Sequence, residues 1–283
     1  QQVPLLWPLM FQSDANIFFA YTSFPWKNLA SRGAAVTVVI IGVSTSKTSK
    51  KKLFITSKTG EISLKEVSFI NAYLIDGPDI IVSKRSKPNS QVAEMDYGSK
   101  PTDDGNLIMT LSEKSEFDTP IFHQYKIVRP FIGSSDSISG KLRFCLWIDD
   151  KNLSNLADQD ALQSRLKRVQ EFRVKSTKKA TSECAATPHK FQEIRQKGTE
   201  SSFVIPSHSS ENRDYLPASP CPNDSIISNS AFAFYDSELW NFSILCSRIH
   251  LVWIATVCGK IKTDYRYSNT LGWNTFPVPK LTE

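Results

Sequence analysis

Residues 35–42 read Ala-Val-Thr-Val-Val-Ile-Ile-Gly, an unbroken apolar run dominated by β-branched side chains. Such a run has no polar face, so it predicts a strand covered on both sides rather than an amphipathic helix or a half-solvated strand. A second strand-like run, Asn16–Tyr21 (Asn-Ile-Phe-Phe-Ala-Tyr), precedes it, and the two read as neighbours in one covered sheet. The following stretch, Ser44–Lys52, is short, polar and basic, and reads as a solvated surface loop rather than a phosphate contact.

From about residue 62 to 150 the chain reads as a mixed domain rich in strands and loops. Short strand-like runs at Ile80–Val82, Leu107–Met109, Tyr125–Val128 and Leu142–Trp147 alternate with Gly, Pro, Asn and Asp turns. From Leu153 to Lys179 the spacing becomes helical, with Leu162, Leu166, Val169 and Phe172 on one side and Arg165, Lys167, Arg168, Arg173 and Lys175 around the rest. Five prolines break up residues 185–225, which read as irregular. A helix is expected to start near Asp236 or Ser237, bury Leu239, Phe242, Leu245, Ile249, Val252 and Trp253, and stop at Gly259. Its apolar stretch carries Arg248 and His250 at its middle, which marks a core helix and not a membrane span.

Net charge and cysteines narrow the setting. Against 28 Asp and Glu stand 34 Lys and Arg, a balance of +6 that favours a polyanionic partner without identifying one. The five cysteines are odd in number and lack CxxC pairing, as expected of free thiols in a reducing cytoplasm. Residues 1–12 carry no basic leader, and the chain reads as cut from a longer protein.

Motifs of catalysis are missing from the sequence. It contains no Gly-x-Gly cofactor turn, Asn-Pro-Pro step, P-loop, Gly-x-Ser-x-Gly elbow or His-Glu-x-x-His. Asp149-Asp150-Lys151 is the nearest thing to a magnesium-dependent nuclease triplet, but such triplets arise often by chance, and a surface turn after a strand is the simpler reading. His123, His189, His208 and His250 are scattered and read as structural or surface residues.

Aromatic residues beside basic ones carry more. In Phe24-Pro-Trp26-Lys-Asn two aromatics follow a strand end, where they either close the edge of a core or stack on an extruded base. Lys84, Arg85 and Lys87, and Arg213 further on, are placed on loops from which they would reach phosphates or guanine edges. The string Lys260-Ile-Lys-Thr-Asp-Tyr-Arg-Tyr267 follows a helix end and is either a cap or a DNA contact.

Several long strings resemble the MmeI-type single-chain restriction and modification enzymes and their DNA adenine methyltransferase relatives. Gln1–Pro8 and Ile17–Gly42, with Ser-Phe-Pro-Trp-Lys-Asn and Val-Thr-Val-Val-Ile-Ile-Gly, resemble the end of the methyltransferase domain. Ile70–Pro78, Lys84–Pro88, Asp104–Leu107, Arg129–Gly133 and Arg143–Trp147 resemble the target-recognition domain. Ser209–Pro217, Ser247–Trp253, Cys258–Ser268 and Asn274–Pro277 resemble its end and the helical segment behind it.

The resemblance implies an architecture of α/β and α+β class in three parts. Residues 1–60 would end a Rossmann-like methyltransferase sheet, 61–215 would form a mixed, strand-rich target-recognition domain, and 216–283 a helical C-terminal segment. It also implies double-stranded DNA as partner, no membrane, and sequence recognition for a methyltransferase that uses S-adenosylmethionine. The cofactor and catalytic motifs would lie in the parent enzyme before Gln1, leaving this fragment inactive by itself. Phe24 and Trp26 would then fall where relatives stack on the flipped adenine. DNA contacts would come from Lys84, Arg85, Lys87 and Arg213 on loops and from Arg165, Arg168, Arg173 and Lys175 on the helix. The rival from another class is a non-catalytic protein-interaction or scaffold module, with the aromatics in the core and the basic helix a solvated face.

Overall fold

The computed structural model describes residues 2–26, 36–46, 48–57 and 59–279. They form two compact units: Gln1–Gln91, Ser210–Asn212 and Val252–Glu283 make up the first, Val92–Ser209 and Arg213–Leu251 the second. This interleaving runs across the limits expected at 60 and 215. Its cause is hydrogen bonding between distant stretches of the first unit. The Arg85 N–H donates to the Thr270 carbonyl (3.0 Å), the Asn89 N–H to the Asn274 carbonyl (2.9 Å), and the Ser90 hydroxyl to the Phe276 carbonyl (3.2 Å).

In the first unit, helix α1 (Val3–Gln12) begins with Pro in its first turn, where no helical N–H is needed. Strands β1 (Asn16–Trp26) and β2 (Val36–Ser44) pair antiparallel, from Asn16 opposite Ser44 to Trp26 opposite Val36. The neighbouring strands predicted from composition are therefore found. Strand β3 (Lys51–Thr56) runs parallel to β1 and antiparallel to β4 (Ile62–Val67), in the order β2-β1-β3-β4. Lys51 and Lys52 accordingly sit in a strand and not in the expected loop; Lys47 lies outside the described residues. Trp7, Ile17, Ala20, Leu53, Val67 and Ile70 form this unit's core. Strand β2 is not buried on both faces, since Val36, Val39 and Ile40 are 47%, 45% and 41% exposed. As the edge strand of its sheet it lacks the two-sided cover its composition calls for.

The second unit holds two four-stranded sheets. In one, β5 (Asp96–Tyr97), β9 (Ser202–Pro206), β10 (Ser219–Pro220) and β12 (Ala231–Tyr235) lie in the order β10-β9-β12-β5. In the other, β6 (Ile108–Thr110), β7 (Val128–Ile132), β8 (Arg143–Leu146) and β11 (Ile226–Ile227) lie in the order β11-β7-β8-β6. Residues 185–225, expected to be irregular, thus contribute a central strand; Phe-Val-Ile in β9 was the signal, hidden among prolines. The expected strand at Ile80–Val82 pairs with nothing in a ladder, and instead the Val82 N–H donates to the Tyr73 hydroxyl at 3.0 Å.

Helix α2 (Asp150–Leu153) follows the turn at Asp149, and α3 (Asp160–Val174) buries Leu162, Leu166 and Val169 against the larger core of this unit. The single C-terminal helix expected from residue 236 is two, α4 (Leu239–Leu245) and α5 (Arg248–Val257), separated at Cys246 and Ser247. The break rotates the buried face. Leu245, His250, Leu251, Ile254 and Val257 are inside, whereas Leu239, Ile249 and Val252, expected in the core, are 67%, 74% and 65% exposed.

His250 is wholly buried, and burial pushes its imidazole pKa down to about 3. An unfolded histidine titrates near 6.5. Above that pH neither state holds the proton and stability is whole; as pH falls from there towards 3, the unfolded chain takes up a proton that the folded chain refuses. Stability is expected to be lower by about 2 kcal/mol at pH 5 than at pH 7.5 from this group. Urea titrations at both values should show a drop that His250→Gln reduces by that amount; equal drops in the two proteins would refute it.

Candidate nucleic-acid interface

At its far end β1 carries Thr22, Ser23, Phe24 and Pro25 along one side of a cleft of about 600 Å³ in the first unit. The turn between β3 and β4 supplies another side. It is closed by Gly60 with φ +88°, a left-handed conformation that suits glycine, and by the Ser57 hydroxyl, which accepts from the Glu61 N–H at 3.0 Å. The Thr56 N–H donates to the Thr22 hydroxyl at 2.9 Å, locking the ends of β1 and β3 together. A hairpin of β13 (Gly259–Ile261) and β14 (Asp264–Arg266) completes the walls. Its two-residue turn holds Lys262 at φ +57°, and both Lys260 and Lys262 line the cleft. Lys260 also reaches over the Tyr265 ring at 5.6 Å.

The cleft therefore combines an aromatic ring, a row of hydroxyls and two ammonium groups. Phe24 is half-buried, and its ring lies 6.3 Å from that of Trp26 and 6.5 Å from that of Tyr21. Tyr21 in turn stacks on Phe54 at 4.0 Å and 3°. Trp26 is 50% exposed at the strand end. Lys27 and Asn28 of the same string lie outside the described residues.

The basic residues divide differently from expectation. Lys84, Arg85 and Lys87 are exposed on a loop whose backbone is fixed by the Arg85 N–H bond and by Asn274, whose amide donates to the Arg85 carbonyl at 2.9 Å. Arg213 is half-buried in the second unit. On α3, Lys175 is exposed, as is Arg168, which donates to the Asn106 side chain at 2.7 Å. Arg165 and Arg173, expected to contact DNA from this helix, are buried instead. Arg165 pairs with Glu113 at 2.9 Å and lies over the Phe117 ring. The N–H and hydroxyl of Thr110, together with Arg165, hold the Glu113 carboxyl down at about 2. Arg173 is fully buried and donates to five backbone carbonyls. Both fall on the stripe 162, 165, 166, 169, 173 that a helical wheel makes the inner face, so spacing contained the warning.

After β8 the exposed Asp149 precedes α2 and the exposed Asp150 opens it. Asp150 bonds His189 at 2.8 Å and Lys190, and these two bonds hold its carboxyl below the usual range. Among the described residues no three His, Cys, Asp or Glu side chains are grouped to hold a metal ion.

Comparison with known proteins shows the family. A family model described as MmeI, target recognition domain, matches residues 76–280. The chain belongs to the MmeI family. A second model, MmeI, DNA-methyltransferase domain, matches residues 1–55, which include β1 with Phe24. "DNA methyltransferase A" of Bacillus subtilis (strain 168) is 39% identical over the whole chain, which spans 32% of that relative's length. A solved structure described as type IIL restriction-modification enzyme MmeI in complex with DNA is also 39% identical; it superposes over the whole chain with a TM-score of 0.87, and the chain covers 38% of it. The chain, mixed α/β with several sheets, thus has the fold expected for the end of an MmeI-type methyltransferase domain joined to its target-recognition domain.

Proposed function

We propose that this chain reads a specific sequence in double-stranded DNA on behalf of an adenine methyltransferase, and receives the extruded base at the cleft beside Phe24. The observation that carries this reading is the cleft's make-up: an aromatic face for stacking, hydroxyls for polar contact, and Lys260 and Lys262 to counter phosphate charge. The solved relative was described in complex with DNA. Exposed Lys84, Arg85, Lys87, Arg168 and Lys175, with Arg213, supply further cations for the backbone. S-Adenosylmethionine belongs to the parent enzyme; residues 1–55 match the methyltransferase model but contain no Gly-x-Gly turn in which to seat it. A cytoplasmic setting accords with five free cysteines and with the absence, among the described residues, of a helix long and apolar enough to cross a membrane.

In the full-length protein, Phe24→Ala and Trp26→Ala are each expected to slow methylation roughly ten- to a hundredfold, the worth of one stacked base at about 1–3 kcal/mol. The fluorescence rise of 2-aminopurine at the target should shrink in parallel. Unchanged rates and fluorescence in both variants would leave these rings a purely structural role.

A further inference from the structure

Every cation and hydroxyl of the cleft suits a nucleic acid, but one wall presents the opposite charge. Glu211 lines the same cleft as Phe24, Lys260 and Lys262. Its arrival there is deliberate in the fold: only Ser210–Asn212 join the first unit, while the chain on either side of these three residues belongs to the second. The excursion is pinned, since the Glu211 N–H donates to the Asp264 carboxylate at 3.2 Å and the Asn212 N–H to the Ser210 hydroxyl at 3.3 Å. The Glu211 charge also faces Tyr265 on the hairpin, whose hydroxyl is pushed up first by burial and then by this carboxylate.

A carboxylate repels phosphate and only accepts hydrogen bonds. In a cleft that takes a polyanion it therefore opposes general affinity, and what it favours is a donor. On the major-groove edges the exocyclic amines, cytosine N4 and adenine N6, fit an acceptor, whereas the keto oxygens of guanine and thymine do not. We propose that Glu211 is a specificity-determining residue that accepts a hydrogen bond from the exocyclic amine of one base in the recognised sequence other than the methylated adenine. This rests on the cleft being the DNA site.

The test uses the full-length protein and a pool of random duplexes, with methylated sites read by sequencing. At one position wild type requires adenine or cytosine; Glu211→Gln, whose amide also donates, admits guanine or thymine there, with discrimination falling about ten- to a hundredfold. A second measurement needs no variant. Cytosines and adenines of the wild-type site are replaced one at a time by 2-pyrimidinone or purine, which lack only the amine, and binding is titrated. Loss at a cytosine identifies N4 as the partner, loss at an adenine N6, and Glu211→Gln should be indifferent to that replacement. An unchanged consensus in Glu211→Gln, or an equal loss at all positions, overturns the role of Glu211. A wild-type protein that methylates nothing in the pool overturns the DNA reading itself, which keeps the two failures apart.

Discussion

Replacing Arg173 by alanine is expected to destabilise the second unit by about 4 kcal/mol or more, although this arginine touches no other ionised side chain through a hydrogen bond. Its Nε donates to the Thr102 carbonyl (2.9 Å), Nη1 to those of Cys184 (3.0 Å) and Thr187 (3.1 Å), and Nη2 to those of Pro101 and Lys190 (2.7 Å each). All five donors of the guanidinium are thereby used. Hydrogen bonds to a charged group contribute about 1.5–3 kcal/mol each and do not add fully, while removing one partner of a buried charged network costs about 3–5 kcal/mol. The loss would be a large share of the roughly 5–15 kcal/mol that holds a domain together. Urea unfolding should show a lower midpoint, with faster amide exchange at residues 102 and 103, 184–187, 189 and 190. Arg173→Lys, with three donors in place of a rigid fork of five, should recover less than half. A midpoint change equivalent to under 1 kcal/mol for alanine would show that the five carbonyls find water instead. Because the group is buried, neither variant should alter the salt dependence of DNA binding, in contrast to Lys175→Ala.

Gly98→Ala is expected to cost about 3 kcal/mol. A β-carbon at Gly98 would overlap the carbonyl oxygens of Ile227 and Ser228. Those atoms are backbone and cannot swing aside. The Ser99 N–H donates to the Ile227 carbonyl at 2.7 Å, the Ser228 N–H to the Ile132 carbonyl at 2.8 Å, and the Asn229 N–H to the Ser99 carbonyl at 3.0 Å. Over-packing a fixed interior typically costs about 1–3 kcal/mol, and a clash with two carbonyls of a hydrogen-bonded strand belongs at the upper end. Gly105→Ala is the control. Nothing lies within 4 Å of its would-be β-carbon, so only the left-handed φ of +78° opposes it, at about 1–2 kcal/mol. Thermal unfolding of the two variants should rank them in that order, and a Gly98→Ala protein as stable as Gly105→Ala would mean that the strands separate more easily than their hydrogen bonds suggest.

How much of this was legible beforehand depends on the range of the interactions involved. The pairing of β1 with β2 follows from a local property, the density of β-branched and aromatic residues in two runs. The apolar stripe of α3 is local too. Spacing places Arg173 on that stripe, but not the carbonyls of residues 101, 102, 184, 187 and 190, brought from elsewhere, that make its burial tolerable. The split of the C-terminal helix at Cys246 and Ser247 has no proline or glycine to announce it. Phe24 was identified as a candidate from its neighbours, whereas Glu211, Thr56 and Lys262 join it only through tertiary structure. The string Lys260–Tyr267 stood out as basic, but its hairpin geometry, with Lys262 left-handed at the turn, was not read from it.

The hydrogen bonds that tie Arg85, Asn89 and Ser90 to Thr270, Asn274 and Phe276 join residues 185 or more positions apart. On a ribosome adding about 5–20 residues per second, the later partners emerge on the order of ten to forty seconds after the earlier ones. All strands of the second unit lie between residues 96 and 235, so its sequence is complete before the first unit can close. The portion made first is thus the portion finished last. Throughout that interval β2, an edge strand among the described residues with Val36, Val39 and Ile40 exposed, offers a pairing surface to any other nascent strand, so synthesis at high local concentration favours mispairing here.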